Sequence, residues 1–340
     1  MLRFSYLVPN ETEIISRFRK RTRVNDQVLI GIGDDAAVIK TTGDTDLVAC
    51  CDLMVEGVHF RTEWTTPRLL GRKALAVNLS DIAAMGALPK FAMISIALPH
   101  LYSAEFIDEL FGGISELAEK AEVSIIGGDT SSSVQSLFID ISVIGECRNG
   151  KAVARHGAQI GDKVYVSGSL GASALGLSFL EAGFRLSDVR DMGDAGQQAV
   201  LKHLAPEPKV RLGRALGEAG LATAMIDISD GLSTDLTHIL EESSVGATIH
   251  ASALPVHTCV MSAAESVSVF DATTLALNGG EEYELLFTAR PEDHDRLIFL
   301  AKTLGERVTQ IGEIDSGKEL RLEKNGQIET IQPRGYEHII

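Results

Sequence analysis

Aspartates beside small turn-forming residues recur along this chain, in Gly31-Ile32-Gly33-Asp34-Asp35, Cys51-Asp52, Asn78-Leu79-Ser80-Asp81, Gly127-Gly128-Asp129-Thr130 and Asp227-Ile228-Ser229-Asp230-Gly231. Each run reads as the end of a strand or helix. A fold that gathers such ends brings carboxylates together, and they repel one another unless cations lie between them. Oxygen-only donors of this kind select Mg²⁺ or Ca²⁺, and Mg²⁺ commonly brings substrate phosphates with it. The pattern therefore points to a metal–nucleotide site.

The chain has 340 residues, enough for two domains with separate cores. Hydrophobic residues make up 45% and charged residues 23%, which is ordinary globular usage. The formal net charge is −16, with no run of Lys or Arg. Such a surface repels nucleic-acid backbones and anionic membranes, so neither is an expected partner. No apolar stretch approaches the roughly 18 residues of a spanning helix, and the first residues lack the pattern of a secretory signal. The four cysteines (Cys50, Cys51, Cys147, Cys259) have no zinc-binding spacing. Adjacent Cys50 and Cys51 would face opposite sides of a strand and are poor disulfide partners. The expected location is a reducing cytoplasm.

Periodicity predicts a helix over 10–21 and short strands at 28–32, 36–40 and 46–51. A long helix opens at Thr66-Pro67 and stops near Gly86, with Thr as cap and Pro in the first turn. A strand at 91–98, a helix from Ser103 and a strand at 123–126 follow, the last ending in the Gly127-Gly128-Asp129 turn. The alternation over 137–144 predicts another strand, and Asn149-Gly150 a tight hairpin turn. A domain boundary is expected within 145–160. Beyond it, strands are expected at 163–167, 224–228, 247–250, 284–289, 308–314 and 319–323. Helices are expected at 170–183, 195–204, 209–219, 231–242 and 292–304. Both halves mix strands and helices without a strict βαβ rhythm, so the fold class is α+β rather than a doubly wound sheet.

Two nucleotide-binding fingerprints mislead. Gly145-Glu146-Cys147-Arg148-Asn149-Gly150-Lys151 matches GxxxxGK, but Ala152 replaces the Ser or Thr that holds Mg²⁺, and no helix follows. Gly31-Ile32-Gly33-Asp34-Asp35-Ala36 mimics a dinucleotide loop, yet its acids would face the pyrophosphate and a strand follows. Taken singly, His59 reads as a surface-loop histidine and Arg155 as a surface cation. Gly279-Gly280-Glu281-Glu282-Tyr283 reads as a turn before a strand.

The ordered set of motifs resembles the thiamine-monophosphate kinase family, within the superfamily of aminoimidazole ribonucleotide synthetase and selenophosphate synthetase. The resemblance runs through Gly31–Asp35, Lys73–Ala87, Ile126–Thr130, Ile226–Leu232, Gly279–Leu285 and Gly335-Tyr336-Glu337-His338, nearly the whole chain. It implies ATP-dependent phosphorylation of thiamine monophosphate to thiamine diphosphate. It also implies a homodimer whose N-terminal sheets join, with residues 1–148 binding ATP and Mg²⁺ and residues 149–340 completing the site. Carried over by position, Asp35, Asp52, Asp81, Asp129, Asp227 and Asp230 are Mg²⁺ ligands. Gly128, Asp129, Arg155 and Ser229 contact ATP, and His59, Glu281 and Tyr336 contact the acceptor. Asp81, Asp129 and Arg155 are the residues expected to carry catalysis. The chain departs from the family at Cys50 and Cys51, where Ser or Thr is usual, and at Glu282, where Asp is usual. Competing readings are another ATPase of the superfamily and a non-catalytic Mg–nucleotide sensor; no Cys precedes Cys50 to serve selenophosphate chemistry.

Overall fold

The computed structural model describes residues 15–16, 19–188, 193–266 and 271–336. Most of the helix expected over 10–21 lies outside the described residues, as do Glu337 and His338 of the C-terminal motif. Two mixed sheets with flanking helices make up two domains, so the α+β expectation is met.

The first sheet has the order β1-β2-β3-β6-β4-β5. Its strands are β1 (Val28–Ile30), β2 (Ala37–Lys40), β3 (Thr45–Val55), β4 (Leu88–Leu98), β5 (Ser124–Ser132) and β6 (Phe138–Arg148). All pairs are antiparallel except β4 with β5. Helices α1 (Pro67–Ala84) and α2 (Ala104–Lys120) cover one face. As expected, Thr66 caps α1 by accepting from the Leu69 N–H, with Pro67 in the first turn. Ser103 caps α2 in the same way. The inward residues Val48, Met54, Ala92, Ile94, Ile139 and Ile141 meet Leu75, Leu79 and Ile82 of α1 in one core.

Three local expectations are corrected. Strand β5 does not stop at 126 but runs through Gly127-Gly128-Asp129, because pairing with β4 continues to Leu98↔Ser132 across a bulge. Strand β3 likewise runs past Asp52 to Val55, since β6 pairs with its full length. Asn149-Gly150 does form a turn, with Gly150 at φ 70°, but not a hairpin: β6 pairs with β3 and β4, and the next strand belongs to the other sheet.

The second sheet has the order β13-β12-β9-β11-β7-β10-β8. Its strands are β7 (Lys163–Ser167), β8 (Ala224–Asp227), β9 (Gly246–His250), β10 (Leu285–Ala289), β11 (Val308–Asp315), β12 (Leu320–Lys324) and β13 (Gln327–Thr330). The helices are α3 (Ala172–Glu181), α4 (Gly193–Leu204), α5 (Val210–Ala219), α6 (Leu232–Ser243), α7 (Thr258–Ser266), α8 (Ala272–Asn278) and α9 (His294–Leu304). Helices α7 and α8 and strand β13 carried too little periodicity to be expected. Strands buried on both faces read as continuous apolar runs. Val164 and Val166 turn toward α6, while Tyr165 and Phe287 stack (ring centroids 5.5 Å apart) on the side of α5 and α9.

Helix α1 is buried nearly all round, because its last turn (Ala83, Ala84) enters the core beneath α5 of the second domain. Gly213 of α5 makes this crossing close: a Cβ there would lie 2.0 Å from the Ala83 carbonyl oxygen. Gly213→Ala gains helix propensity of about 1 kcal/mol but forces backbone against backbone, with overpacking typically costing about 1–3 kcal/mol. The expected net result is a lower urea midpoint. An unchanged midpoint would mean the two domains do not depend on this contact.

Candidate active site

The seam between the domains collects acids from three separate elements. Asp35 follows β1, Asp81 lies in the last turns of α1, and Asp227 ends β8; their carboxylate oxygens lie within 4.8 Å of one another. Ser80, one residue before Asp81, donates its hydroxyl to Asp227 Oδ2 at 2.6 Å, tying α1 to β8. Arg155 places Nε at 3.1 Å and a terminal nitrogen at 2.5 Å from Asp35 Oδ1. The other oxygen, Asp35 Oδ2, is buried and has no hydrogen-bond partner.

The electrostatics follow from this crowding. Burial first, then Asp35, push the Asp227 carboxyl up to about 8, with the Ser80 hydroxyl pulling against them. Burial first, then Asp52, Asp227 and Asp35, hold Asp81 well above the carboxylate range. Burial also raises Asp35, although Arg155 opposes it. For Arg155, burial alone would lower the pKa, but Asp35 beside it raises it overall, so the guanidinium stays charged. The isolated reading of Arg155 as a surface cation is therefore corrected.

Asp52 adjoins this cluster on β3. Its N–H donates to Asn78 Oδ1 at 3.1 Å, and its charge raises Asp81 and Asp227. Asp34 turns aside: its carboxylate accepts the backbone N–H groups of Arg155 (3.1 Å) and Asp35 (3.0 Å). Burial first, then Asp35, push Asp34 up to about 6. The cysteines part as expected. Cys50 turns inward, its thiol donating to the Asn78 carbonyl oxygen at 3.5 Å, while Cys51 is exposed on the far face. Burial first, then Asp81 and Asp52, keep Cys50 protonated.

Asp129 stands apart from the three-carboxylate cluster. It sits on exposed strand β5 in register with Ser95, on the sheet face away from α1. Gly128 beside it has φ 151°, and a Cβ there would lie 1.8 Å from the Ile94 carbonyl oxygen, so pairing with β4 alone demands glycine. Asp230 belongs to a second cluster with Asp235 and His238, whose ligand atoms also lie within 4.8 Å. Asp235 Oδ2 accepts the N–H groups of Asp230 and Gly231 at the start of α6. Sequence reasoning missed Asp235 and His238; their spacing on α6, one turn apart after Asp230, was the available signal.

The loop 279–284 lies against Ser229, whose carbonyl accepts the Glu281 N–H at 2.6 Å. His59 accepts the Val55 N–H on Nδ1 at 2.9 Å, so the neutral ring carries its proton on Nε2. His59 is partly buried rather than a surface group. Tyr336 is half exposed, with its N–H on the Asp230 carbonyl at 3.0 Å.

Residues 33–147 match the family described as AIR synthase related protein, N-terminal domain, and residues 159–325 match its C-terminal domain counterpart. The thiamine-monophosphate kinase of Bacillus subtilis (strain 168) is 35% identical over 331 residues, covering 97% of this chain and 99% of that protein. The chain belongs to the thiamine-monophosphate kinase family. Among solved structures, the Stenotrophomonas maltophilia K279a family member is 36% identical with a TM-score of 0.75, covering 92% of this chain and 96% of that one. A structure described as AaThiL complexed with AMPPCP and TMP is 29% identical with a TM-score of 0.85, covering 98% and 100%.

Glu282, the departure from the family wording, is fully buried. Its Oε1 accepts the Ser173 N–H at 2.9 Å at the start of α3, and its Oε2 has no partner. Burial first, against Lys202 and the Ser173 N–H, pushes it up from 4.5 to about 7. The folded state thus binds this proton more tightly than the unfolded chain does. The associated stability is fully present below pH 4.5 and is lost as pH rises through about 7. Thermal melts between about pH 5 and about pH 8 should show a smaller decline in Glu282→Gln than in wild type. Parallel declines would remove Glu282 as the titrating group.

Proposed function

We propose that this chain transfers the γ-phosphoryl group of ATP directly to thiamine monophosphate, giving thiamine diphosphate, with several Mg²⁺ ions as cofactors. The observation that carries the reading is the cluster of Asp35, Asp81 and Asp227 beside Arg155, in a chain whose full-length relatives bear this name. The donor set fits a hard divalent cation: it is all oxygen, its charges repel, and the buried Asp35 Oδ2 lacks a partner. Asp35, Asp52, Asp81 and Asp227 would hold metal here, and Asp230 and Asp129, which stand outside that cluster, are further proposed Mg²⁺ ligands. Mg²⁺, when bound, would neutralise the repulsion between the two phosphate groups.

The protein's own groups bind and orient. Arg155 carries a fixed positive charge toward the transferring phosphoryl group, and Gly128 and Ser229 contact the nucleotide. His59 offers its Nε2–H to the acceptor phosphate, while Glu281 and Tyr336 take the rest of the acceptor. The acceptor phosphate is already anionic near neutral pH, so no strong general base is required. Positioning and charge stabilisation supply the rate.

Residues 1–148 would bind ATP and Mg²⁺ and dimerise, and residues 149–340 would complete the site. The face of the first sheet away from α1 supports a homodimer, since Leu47, Leu53, Phe91 and Met93 are exposed there and β5 is an open edge. No helix among the described residues is long and apolar enough to cross a membrane. The cytoplasm is the proposed location.

An ADP-release assay with and without thiamine monophosphate tests the reading, with acceptor-dependent ADP formation as the expected result. ATP binding without turnover, or indifference to the acceptor, would sink it. Asp81→Asn and Asp129→Asn should each lower turnover by about a hundredfold with an unchanged circular dichroism spectrum. Full activity of either variant at saturating Mg²⁺ would remove that residue from the machinery.

A further inference from the structure

Lys73 is a lysine in the middle of α1, with only 3% of its side chain exposed. A cation that deep is costly unless an anion answers it, and here the anion comes from the other domain. Lys73 Nζ lies 2.9 Å from Glu281 Oε1, and His203 of α4, equally buried, places Nδ1 3.0 Å from Glu281 Oε2. Burial, followed by the charge of Lys73, pushes His203 down to about 4, so its ring is neutral near neutral pH. The same Nδ1 lies 3.1 Å from the Ser173 hydroxyl, so this nitrogen sits between Ser173 and the Glu281 carboxylate. Each oxygen of Glu281 is therefore gripped by a different element.

Glu281 needs such a grip. Its φ is 58° and that of Tyr283 is 50°, a left-handed conformation costing about 1–3 kcal/mol per non-glycine residue unless the surroundings enforce it. Lys73 and His203 also line a small cleft together with His59, Arg61 and Trp64. The ion pair thus adjoins the histidine expected to meet the acceptor.

We propose that Lys73 is a positioning residue for the phosphate acceptor, holding the Glu281 carboxylate across the domain seam while His203 braces its second oxygen. The proposal rests on the reading of Glu281 as an acceptor contact. A carboxylate kept ionised and oriented suits the cationic organic half of thiamine monophosphate. The titratable and charged groups around Glu281 are Lys73 from α1, His203 from α4, His59 after β3 and Tyr283 in its own loop. Burial would raise Glu281, but Lys73, through its charge and its hydrogen bond, brings it below its ordinary value.

The test is steady-state kinetics on the full chain, varying ATP and thiamine monophosphate separately. Lys73→Met should raise the KM for thiamine monophosphate about tenfold or more and leave the KM for ATP within about twofold, as loss of a charge-assisted hydrogen bond predicts. It should also move the acid limb of kcat/KM for the acceptor to higher pH, because Glu281 loses its strongest cation. Lys73→Arg should restore part of both effects. His203→Gln, which keeps the ion pair intact, should give a smaller change in the same direction and serves if Lys73→Met does not fold. In a Glu281→Gln background, Lys73→Met should raise the acceptor KM no further. Equal changes in both KM values, or a full additional loss in that background, would overturn the positioning role. A wild-type acceptor KM in Glu281→Gln alone would instead overturn the reading of Glu281 on which the role rests.

Discussion

Mutual repulsion among buried carboxylates governs this structure. Asp35, Asp81 and Asp227 place oxygens within 4.8 Å of one another, and Asp52 adds its field from β3. Two unit charges at ~4 Å repel by roughly 4 kcal/mol at an effective dielectric of ~20, so a fully ionised cluster would oppose folding by a large share of a domain's stability. Arg155 supplies one positive charge and Ser80 one hydrogen bond. Burial first, and then the repulsion that remains, favour retained protons, and Asp227 rises to about 8. A cation entering there would displace protons from groups already aimed at it, so binding would couple to pH.

Helix α1 makes that concentration of charge tolerable. Few exposed faces remain on it, since the first sheet, α2 and α5 all pack around it. Its polar side chains each tether a different element. Lys73 reaches the loop 279–284, Asn78 accepts the Asp52 N–H from β3, and Ser80 donates to Asp227 at the end of β8. A helix buried this completely moves little, so the spacing of those groups along it fixes the separation of the two domains' contributions. The same burial gives Asp81 its raised pKa, so rigidity and acidity at this site have one cause.

Much of this was legible from local chemistry. Thr66-Pro67 set the start of α1, and alternation located β6. The adjacency of Cys50 and Cys51 was enough to put them on opposite faces. Local chemistry failed where pairing overrode it. Gly127-Gly128 signals a turn, but β4 supplies partners through Ser132, and Gly128 instead permits close strand approach. Asn149-Gly150 signals a hairpin, but β6 already has partners on both edges, so the chain leaves for the other domain. Nothing local announced the Lys73–Glu281 pair, whose members are far apart in sequence. The one trace was a lysine within the otherwise apolar turn Lys73-Ala74-Leu75-Ala76-Val77, a position where a solvated charge has no route to water.

The two departures from the family wording have a common placement. Cys50 does not replace an oxygen in the three-carboxylate cluster; its thiol donates to the Asn78 carbonyl oxygen at 3.5 Å. As a soft donor it has little affinity for Mg²⁺, and as a protonated thiol near Asp81 it adds no charge of its own. Glu282 likewise points away from the cluster, into the start of α3, where its Oε1 accepts the Ser173 N–H. Both changes therefore act on the supports of the site and leave its oxygen donors in place. Supports of this kind tune affinity and pH response, because they alter the charge balance around Asp81 and the loop of Glu281 while the transferring geometry stays with Arg155 and the aspartates.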